Sequence, residues 1–380
     1  MKLFDVYPLF DIEIVKGEGS YIYDSEGTKY LDLYGGHAPI AIGHTHPHYV
    51  KRITEQLQKL GFYSNSILNP LQDQLAEKLG RISGKEDYSL FLCNSGAEAN
   101  ENALKLASFH NGKKKIISFT KGFHGRTSLA VAVTDNPKII APINEIAHKL
   151  LLPFNDVDAL KAAFTDDVCC VIVEGIQGLA GIYEASQPFL QAIKDLCEKH
   201  NAVFILDSVQ CGYGRSGKFF TSDYYGIEAD LYTTAKAMAN GFPIGGVLIS
   251  LKFKASHSLL GTTFGGSHLA CAAALAVLEV YEEENVIENA AKVGAYTINK
   301  LKEIHGVKEV RGKGLMIGIE LEQNCAEIRK NLLFEDKIFT GSSSNPNTIR
   351  LLPALNIGTK EMDIFIEKLI AQLEKSKQHL

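Results

Sequence analysis

The stretch Val203-Phe-Ile-Leu-Asp207-Ser-Val-Gln210 decides the fold of this chain. Its first four residues are apolar and favour β-structure, and the run ends abruptly on an acid. A short apolar run of this kind predicts a central strand of an open α/β sheet, buried on both faces. The carboxyl ends of such strands are where ligand groups are presented. Asp207 therefore occupies a position where a lone carboxylate is costly unless a cation or a hydrogen-bond donor meets it.

A lysine follows in a second informative stretch, Ala235-Lys236-Ala-Met-Ala-Asn-Gly241-Phe-Pro-Ile-Gly245-Gly246. Small and apolar neighbours solvate an ammonium poorly, and desolvation favours the neutral, nucleophilic amine. A carboxylate able to hold a pyridinium proton, together with a lysine able to form a Schiff base, is what a pyridoxal phosphate enzyme needs. Each residue alone has an ordinary alternative, since most strand-end aspartates cap a loop and most lysines lie in solvent. The hypothesis therefore depends on the other strand ends.

Other predicted strands also end in polar or glycine-rich turns, as repeated βαβ units require. Ser89–Cys93 is followed by Asn94-Ser95-Gly96-Ala97-Glu98-Ala99-Asn100, where the start of a helix favours either an anion such as phosphate or a simple N-cap. Lys115–Phe119 leads into Phe123-His124-Gly125-Arg126, and the next strand ends at Glu174. Because parallel strands present their carboxyl ends at one edge of a sheet, we expect these groups to converge.

Three further patterns are candidates for functional sites: a glycine-rich motif, a group of histidines and an arginine in an apolar strand. Gly212-Tyr-Gly214-Arg-Ser-Gly217 matches G-x-G-x-x-G, but its last glycine does not open a helix, as a dinucleotide-binding turn requires. His44-Thr-His46-Pro-His48 offers imidazoles, but no cysteine or carboxylate is nearby in sequence and the proline marks a helix start. We therefore predict no metal site. Arg350 lies among apolar neighbours in a predicted strand, where it is either half of a buried ion pair or an anion receptor.

Composition narrows the class of protein. The 380 residues, 46% hydrophobic and 22% charged, are enough for a large core and two domains. A net charge of −5 gives no electrostatic footprint for nucleic acid. The seven cysteines are odd in number and form no C-x-x-C, which favours a reducing compartment. With no apolar run near the ~18 residues of a membrane span and no signal-peptide pattern, we expect a cytoplasmic protein without membrane or nucleic-acid partners.

Taken together and in order, these motifs resemble those of class III aminotransferases of pyridoxal phosphate fold type I, in the acetylornithine and succinylornithine branch. The resemblance runs from about Tyr7 to the C-terminal helix. It implies an α/β fold, with a large domain built on a mainly parallel seven-stranded sheet and a smaller α+β domain. The implied division has residues 1–46 joining the small domain, 47–255 forming the large cofactor-binding domain and 256–380 forming the small domain. The most specific motifs are Asn94-Ser-Gly-Ala-Glu-Ala-Asn100, Phe123-His-Gly-Arg126, Asp207-x-Val-Gln210, Lys236 with Gly241-Phe-Pro-Ile, and Thr263-Phe-Gly-Gly266.

The resemblance also implies a role for each site residue. Lys236 would be the Schiff-base lysine and proton carrier, and Asp207 would keep the pyridinium nitrogen protonated. Phe123 would stack on the cofactor ring, and Gln210 would bind its phenolic oxygen. The other cofactor contacts would be Ser95, Gly96, Ala97 and, from the second subunit of an obligate homodimer, Thr263. The substrate contacts would be the carboxylate receptors Arg126 and Arg350, with Thr262, Tyr7, His37 and Glu174 around them.

The implied reaction is a ping-pong transamination in arginine biosynthesis. The δ-amino group of N-acetylornithine or N-succinylornithine passes to pyridoxal phosphate and then to 2-oxoglutarate, which leaves as glutamate. The alternatives are an aminotransferase for free ornithine or 4-aminobutyrate, an aminomutase, and a silent cofactor-binding protein. A nicotinamide dehydrogenase is disfavoured by the context of Gly212 to Gly217.

Three positions depart from the pattern of this branch. Leu179 stands where the branch usually has a glutamate, which is thought to pair with the arginine at the Arg350 position. Gly175 and Ser208 stand where proline and glutamate are usual. Without an acid at residue 179, Arg350 stays electropositive unless a ligand neutralises it. We therefore expect the pocket to prefer a substrate with an added negative charge, N-succinylornithine over N-acetylornithine.

Overall fold

A computed structural model describes residues 1–377 of the chain. Its strands are, in chain order, β1 (Ile14–Glu18), β2 (Tyr21–Asp24), β3 (Lys29–Asp32), β4 (Ser89–Cys93), β5 (Lys115–Phe119), β6 (Lys149–Leu152), β7 (Val168–Glu174), β8 (Ile176–Gln177), β9 (Tyr183–Glu184), β10 (Val203–Asp207), β11 (Leu231–Thr234), β12 (Gly245–Ile249), β13 (Val307–Lys313), β14 (Met316–Leu321), β15 (Ile338–Phe339) and β16 (Thr348–Leu351). Its α-helices are α1 (Pro47–Lys59), α2 (Pro70–Ser83), α3 (Gly96–Asn111), α4 (Ser128–Ala132), α5 (Val157–Ala163), α6 (Gly178–Gly181), α7 (Gln187–Lys199), α8 (His268–Glu283), α9 (Val286–Lys302), α10 (Ala326–Phe334) and α11 (Thr359–Lys377). Short 3-10 helices lie at Pro137–Ile139, Pro142–Asn144, Thr221–Tyr224 and Lys236–Ala239.

A seven-stranded sheet in the order β4-β12-β11-β10-β7-β5-β6 forms the centre of the molecule. Neighbouring strands are parallel except at β12, which runs antiparallel to both β11 and β4. Strands β7 and β10 are buried along their whole length, because their side chains are nearly all apolar and alternate between two hydrophobic clusters. Phe204 packs in the cluster that contains α7, and Ile205 in the cluster that contains α3. The predicted α/β fold with a mainly parallel sheet is confirmed.

Two smaller sheets carry the N-terminal and C-terminal parts of the chain. Strands β2 and β3 form an antiparallel hairpin, and β3 then pairs in parallel with β15. Strands β13, β14 and β16 form a separate antiparallel sheet. Helix α8 packs against α1 and α2. The division at residues 46 and 255 stays a prediction.

The structure shows where the cysteines and the clustered histidines lie. All seven cysteines are buried and free. Of the histidines between β3 and α1, His46 lies 2.8 Å from Glu284, and His44 lies 2.8 Å from Asp32. Within residues 1–377, no three His, Cys, Asp or Glu side chains gather as metal ligands. None of the helices in the same range combines the length and the apolar character needed to cross a bilayer.

Candidate active site

The polar strand ends surround a cavity of about 530 Å³. Most of the predicted site residues line it: Gly96, Ala97, Phe123, Asp207, Gln210, Lys236, Arg126, Arg350, His37 and Glu174. Four lie outside its wall in this chain: Ser95, Thr262, Thr263 and Tyr7. Tyr7 is 74% exposed, and Thr263 is also exposed. The predicted convergence of strand ends therefore holds for most groups carried by the large sheet. The residues outside the wall are Ser95, the N-cap of the helix that follows β4, together with Tyr7 of the N-terminal segment and the two threonines of the Gly261 to Gly266 loop.

A larger cleft of about 600 Å³ lies elsewhere, lined in part by Tyr183, Glu184 and Arg311. Two ion pairs there are internal to the protein: Glu184 with Lys313, and Arg311 with Glu309. Charges that are already neutralised in this way offer little to a charged ligand. The predicted site residues line the smaller cavity instead.

The start of α3 forms one wall of the cavity. Ser95 is the N-cap of this helix, and its hydroxyl accepts a hydrogen bond from the backbone N–H of Glu98 at 3.2 Å. Gly96 and Ala97 follow directly and line the cavity. The two interpretations of this turn, an N-cap and an anion site, are thus compatible, because the cap uses one of the free N–H groups and the helix dipole still favours negative charge.

Asp207 is the last residue of β10 and is only 3% exposed. Its Oδ2 atom lies 2.7 Å from Nδ1 of His124 and accepts a hydrogen bond from Nδ2 of Asn100 at 2.8 Å. Its Oδ1 atom accepts from the backbone N–H of Val209 at 3.0 Å. These partners hold a buried carboxylate that would otherwise be costly.

His124 and Asn100 belong to two of the sequence motifs, but neither residue has a role that the local sequence predicts. Both reach Asp207 only through the tertiary fold, because His124 follows β5 and Asn100 lies in α3. Burial opposes a charge on His124, but the hydrogen bond and negative charge of Asp207, with the charge of Glu174, outweigh it and raise the pKa of the imidazole. His124 is thus a donor to Asp207 across a wide pH range. The strand-end position of its loop was the only signal that could have indicated this.

Glu174 ends β7 beside Asp207, with which it is in register. Its Oε1 atom accepts from the backbone N–H of Phe123 at 2.9 Å, and its Oε2 atom accepts from Gly178 at 3.1 Å. Burial raises the pKa of Glu174 to about 7, and the charge of Asp207 adds to this effect, while His124 opposes it. Glu174 therefore ties the Phe123 loop and the Gly178 turn to the sheet edge.

Lys236 opens a 3-10 helix in a left-handed backbone conformation, with a φ of +46°. For a residue other than glycine this conformation costs about 1–2 kcal/mol, and such strain gathers at functional sites. Burial lowers the pKa of the Lys236 ammonium, against the opposing charges of Asp207 and Glu174. The turn is held by Asn240, whose Oδ1 atom accepts from the backbone N–H of Ala41 at 2.7 Å.

Arg350 lies in β16 and is 2% exposed. Its guanidinium donates to Oε1 of Gln210 at 3.3 Å and to the backbone carbonyl of Ser342. In the described part of the chain no carboxylate lies within 4.0 Å of it. Burial lowers the pKa of Arg350 to about 10. Leu179, at the position of the missing glutamate, also lines the cavity and is 38% exposed, so the geometry supports an anion receptor rather than an internal ion pair.

Close packing against Thr221 explains why residue 175 is a glycine. A Cβ atom placed there would lie 1.8 Å from Oγ1 of Thr221. Any larger residue, including the proline that is usual in the branch, would have to displace this buried threonine. The departure at Gly175 therefore concerns local packing and leaves the cavity wall unchanged.

Replacing Glu174 by glutamine is expected to change how stability depends on pH. Because its folded pKa of about 7 lies above its ordinary value, Glu174 contributes stability that is complete below about pH 4.3. This contribution is lost as the pH rises through about 7. Relative to Glu174→Gln, the wild type should lose up to about 1.4 kcal/mol of unfolding free energy per pH unit between about pH 5 and about pH 7.

Urea unfolding of both proteins across that pH range measures this difference. The glutamine variant also carries a constant penalty, because its amide can accept only one of the two N–H bonds that Glu174 accepts. The slope of the difference with pH is therefore the relevant quantity. A difference that stays constant with pH would contradict the raised pKa.

Comparisons with known proteins agree with this site. Residues 5–373 match the model of the family Aminotransferase class-III. The chain is 42% identical to the acetylornithine aminotransferase of Archaeoglobus fulgidus, covering 96% of each chain. It is 41% identical to that of Methanocaldococcus jannaschii, covering 96% of this chain and 94% of the relative. Among solved structures, the ornithine aminotransferase from Toxoplasma gondii ME49 superimposes with a TM-score of 0.92 at 25% identity, covering 100% of this chain and 94% of the other.

Proposed function

Because this chain belongs to the class-III aminotransferases, which depend on pyridoxal phosphate, we propose that it moves the δ-amino group of an Nα-acylated ornithine to 2-oxoglutarate. The observation that carries the proposal is that Lys236, Asp207 and Arg350 line one cavity. The guanidinium of Arg350 is buried and has no carboxylate within 4.0 Å among the described residues. The names of the curated relatives support acetylornithine as the donor and arginine biosynthesis as the setting.

The residues of the cavity fit pyridoxal phosphate. A lysine with a lowered pKa, a buried carboxylate, an aromatic ring and a helix N-terminus line the same space of about 530 Å³. We assign Lys236 and Asp207 to the aldehyde carbon and the ring nitrogen, Phe123 to the ring face, and Gly96 with Ala97 to the phosphate. When bound, the cofactor supplies an electron-withdrawing ring that stabilises negative charge on the reacting carbon.

Side chains of the protein would carry out the proton transfer and bind the substrate. Nζ of Lys236, whose ammonium pKa is lowered by burial, would take the proton from the reacting carbon of the donor and return it to the product. Asp207, held in place by His124 and Asn100, would be the acid that keeps the ring nitrogen protonated. Arg350, which has no carboxylate within 4.0 Å among the described residues, would bind a substrate carboxylate.

The second guanidinium, that of Arg126, is exposed at the mouth of the cavity. We assign it to a second carboxylate, because one site must accept both a dicarboxylic keto acid and the distant carboxylate of an ornithine derivative. Gln210 links the two ends of the site, since it donates to the carbonyl of His37 at 3.2 Å and accepts from Arg350.

A homodimer and a cytoplasmic location belong to the same proposal. Thr263 is exposed and lies away from its own chain's cavity, which supports a role in completing the cavity of a second subunit. The seven buried free thiols fit a reducing compartment. Sedimentation of the cofactor-loaded protein tests the dimer: a stable monomer with full activity would contradict it.

The visible spectrum of the cofactor-loaded enzyme tests the donor. N-acetylornithine, N-succinylornithine, ornithine and 4-aminobutyrate are added separately without a keto acid, and each donor that reacts bleaches the yellow colour. We expect an acylated ornithine to act at a concentration at least about tenfold lower than free ornithine. Equal or better bleaching by ornithine would favour the second candidate, an ornithine aminotransferase, which the structural similarity to such an enzyme supports.

Leu179→Glu is expected to shift the preference between the two acylated donors. In the wild type, no carboxylate of the described residues lies within 4.0 Å of Arg350. The uncompensated positive charge favours N-succinylornithine, because this substrate brings an extra negative charge. A glutamate at residue 179 would neutralise Arg350 and lower the ratio of kcat/KM for N-succinylornithine to that for N-acetylornithine, by about tenfold for a difference of ~1.4 kcal/mol.

Leu179→Gln, which adds a polar side chain of nearly the same size without a charge, is the matched control. It should leave the ratio of the two kcat/KM values near that of the wild type. An unchanged ratio in Leu179→Glu would show that the residue does not govern the choice of acyl group.

A further inference from the structure

The G-x-G-x-x-G segment from Gly212 to Gly217 contains a fully buried arginine. Arg215 is 0% exposed, and burial lowers its pKa to about 10. No carboxylate in the described part of the chain lies within 4.0 Å of its guanidinium. A buried charge without a counterion is costly unless hydrogen bonds stabilise it. The hydrogen-bond partners of the Arg215 guanidinium are therefore the relevant contacts.

The guanidinium of Arg215 binds backbone carbonyls instead of an acid. Its Nη1 atom donates to the carbonyl of Leu315 at 3.2 Å and to that of Pro353, and its Nη2 atom makes longer contacts with the carbonyls of Ala38 at 3.5 Å and Ile40 at 3.4 Å. Its own carbonyl accepts from the N–H of Leu315 at 3.0 Å. One side chain therefore joins three segments that are far apart in the sequence.

Two of these segments carry residues of the cavity wall. Ala38 follows His37, whose carbonyl accepts from Gln210. Pro353 lies just after β16, the strand that carries Arg350. The fork shape of the guanidinium suits this arrangement, because its donors lie in one plane and can reach carbonyls on two sides.

The packing around the segment leaves it little freedom. A Cβ atom at Gly314 would lie 2.4 Å from the carbonyl carbon of Ser216, so the turn before Leu315 presses directly on the Arg215 segment. His37 and Ala38 both have positive φ angles, 74° and 75°, which a loop adopts only when its surroundings hold it.

We propose that Arg215 is a positioning residue that sets the distance between His37 and Arg350 and so shapes the receptor for the substrate carboxylate. The inference rests on the proposed function, because it takes Arg350 to be that receptor. Arg215 itself lines no part of the cavity. Its effect therefore reaches the substrate through the two segments that it joins.

The experiment compares holoenzyme variants Arg215→Met and Arg215→Lys with the wild type. For each protein, kcat and KM are measured with 2-oxoglutarate, the dissociation constant of the unreactive dicarboxylate glutarate is measured by calorimetry, and thermal unfolding is recorded. Arg215→Met should weaken glutarate binding and raise the KM for 2-oxoglutarate by about tenfold, with kcat changed less than about threefold. Arg215→Lys keeps the charge and up to three donors, and should show a loss of about threefold.

Lys113→Met is the matched control. Lys113 also donates to two backbone carbonyls, those of His200 and Asn201, but these lie near the opposite end of β10 from Asp207. The control should lower the unfolding temperature without changing glutarate affinity. If the Arg215 variants behave like Lys113→Met, with unchanged glutarate binding, the residue is only structural and the inference is overturned. Arg215→Lys decides this alone if Arg215→Met does not fold.

Arg350→Met separates this inference from the proposed function. If Arg350→Met leaves glutarate affinity unchanged, Arg350 is not the carboxylate receptor and the proposed function loses its main support. If Arg350→Met weakens glutarate binding but both Arg215 variants bind it as the wild type does, only the role of Arg215 is wrong.

Discussion

Lys236→Ala is expected to lower transamination by about 10⁴-fold or more, the largest effect of any substitution in the chain. The amine of Lys236 is both the nucleophile that fixes the cofactor and the base that moves the substrate proton, so alanine removes two functions. Among the residues that the structure describes, no other lysine lines the cavity to replace it. Steady-state kinetics gives the loss in rate, and mass spectrometry after borohydride treatment should show that the cofactor is no longer retained covalently.

Lys218→Ala is the control for this experiment. Lys218 is an exposed lysine outside the cavity. Its replacement should leave both the rate and the covalent retention unchanged. The Lys236→Ala variant should fold normally. Its loss of stability should be small, because the left-handed backbone conformation is unfavourable for lysine and alanine alike. Retention of the cofactor by Lys236→Ala would place the reactive lysine elsewhere.

Asp207→Asn is expected to lower kcat/KM by about 10²–10³-fold, the second-largest effect. The substitution removes the negative charge that would hold a proton on the ring nitrogen. It also disturbs the hydrogen bonds, because Oδ2 of Asp207 accepts from both His124 and Asn100, whereas an amide group must turn a donor toward some of these partners. The visible spectrum of the loaded variant, followed with kcat/KM, measures both consequences.

Asp230→Asn is the matched control. Asp230 is a half-buried aspartate that directly precedes β11, accepts from the backbone N–H of Phe204 and pairs with Lys252. It lies at the other end of β10 from Asp207, so its replacement should reduce stability and leave kcat/KM within about threefold of the wild type. If Asp207→Asn and Asp230→Asn lost the same small factor, Asp207 would be a structural carboxylate only.

Local sequence was sufficient to predict most of the elements. The strands around Val203 and Val168 are short apolar runs buried on both faces, and such runs are readable without knowledge of their neighbours. Ser267 directly precedes α8, as a serine N-cap does, and its hydroxyl accepts from the backbone N–H of Ala270 at 3.2 Å. Parallel βαβ order then places the strand ends of the large sheet at one edge, which is why Asp207, Lys236 and Phe123 could be gathered in advance.

Other features required long-range contacts. The partners of Asp207, which are Asn100 and His124, come from different strand ends, and only their distances identify them. The outcome for Arg350 was open in the sequence, because an ion pair and an anion receptor need the same residue; the absence of a carboxylate within 4.0 Å in the described residues is a tertiary fact.

The sequence by itself therefore determined the α/β fold and the order of the motifs, because these depend on apolar periodicity and on short motifs at strand ends. The same motifs led to the proposal that Lys236 and Asp207 are the catalytic residues. The tertiary structure alone decided which buried charges are paired. Arg215 illustrates this physically: the G-x-G-x-x-G match around it, rejected as a dinucleotide turn, says nothing about its contacts, but the chain folds so that backbone carbonyls from three distant segments surround its guanidinium. Burial and hydrogen bonding depend on what is close in space, and no local pattern carries that information.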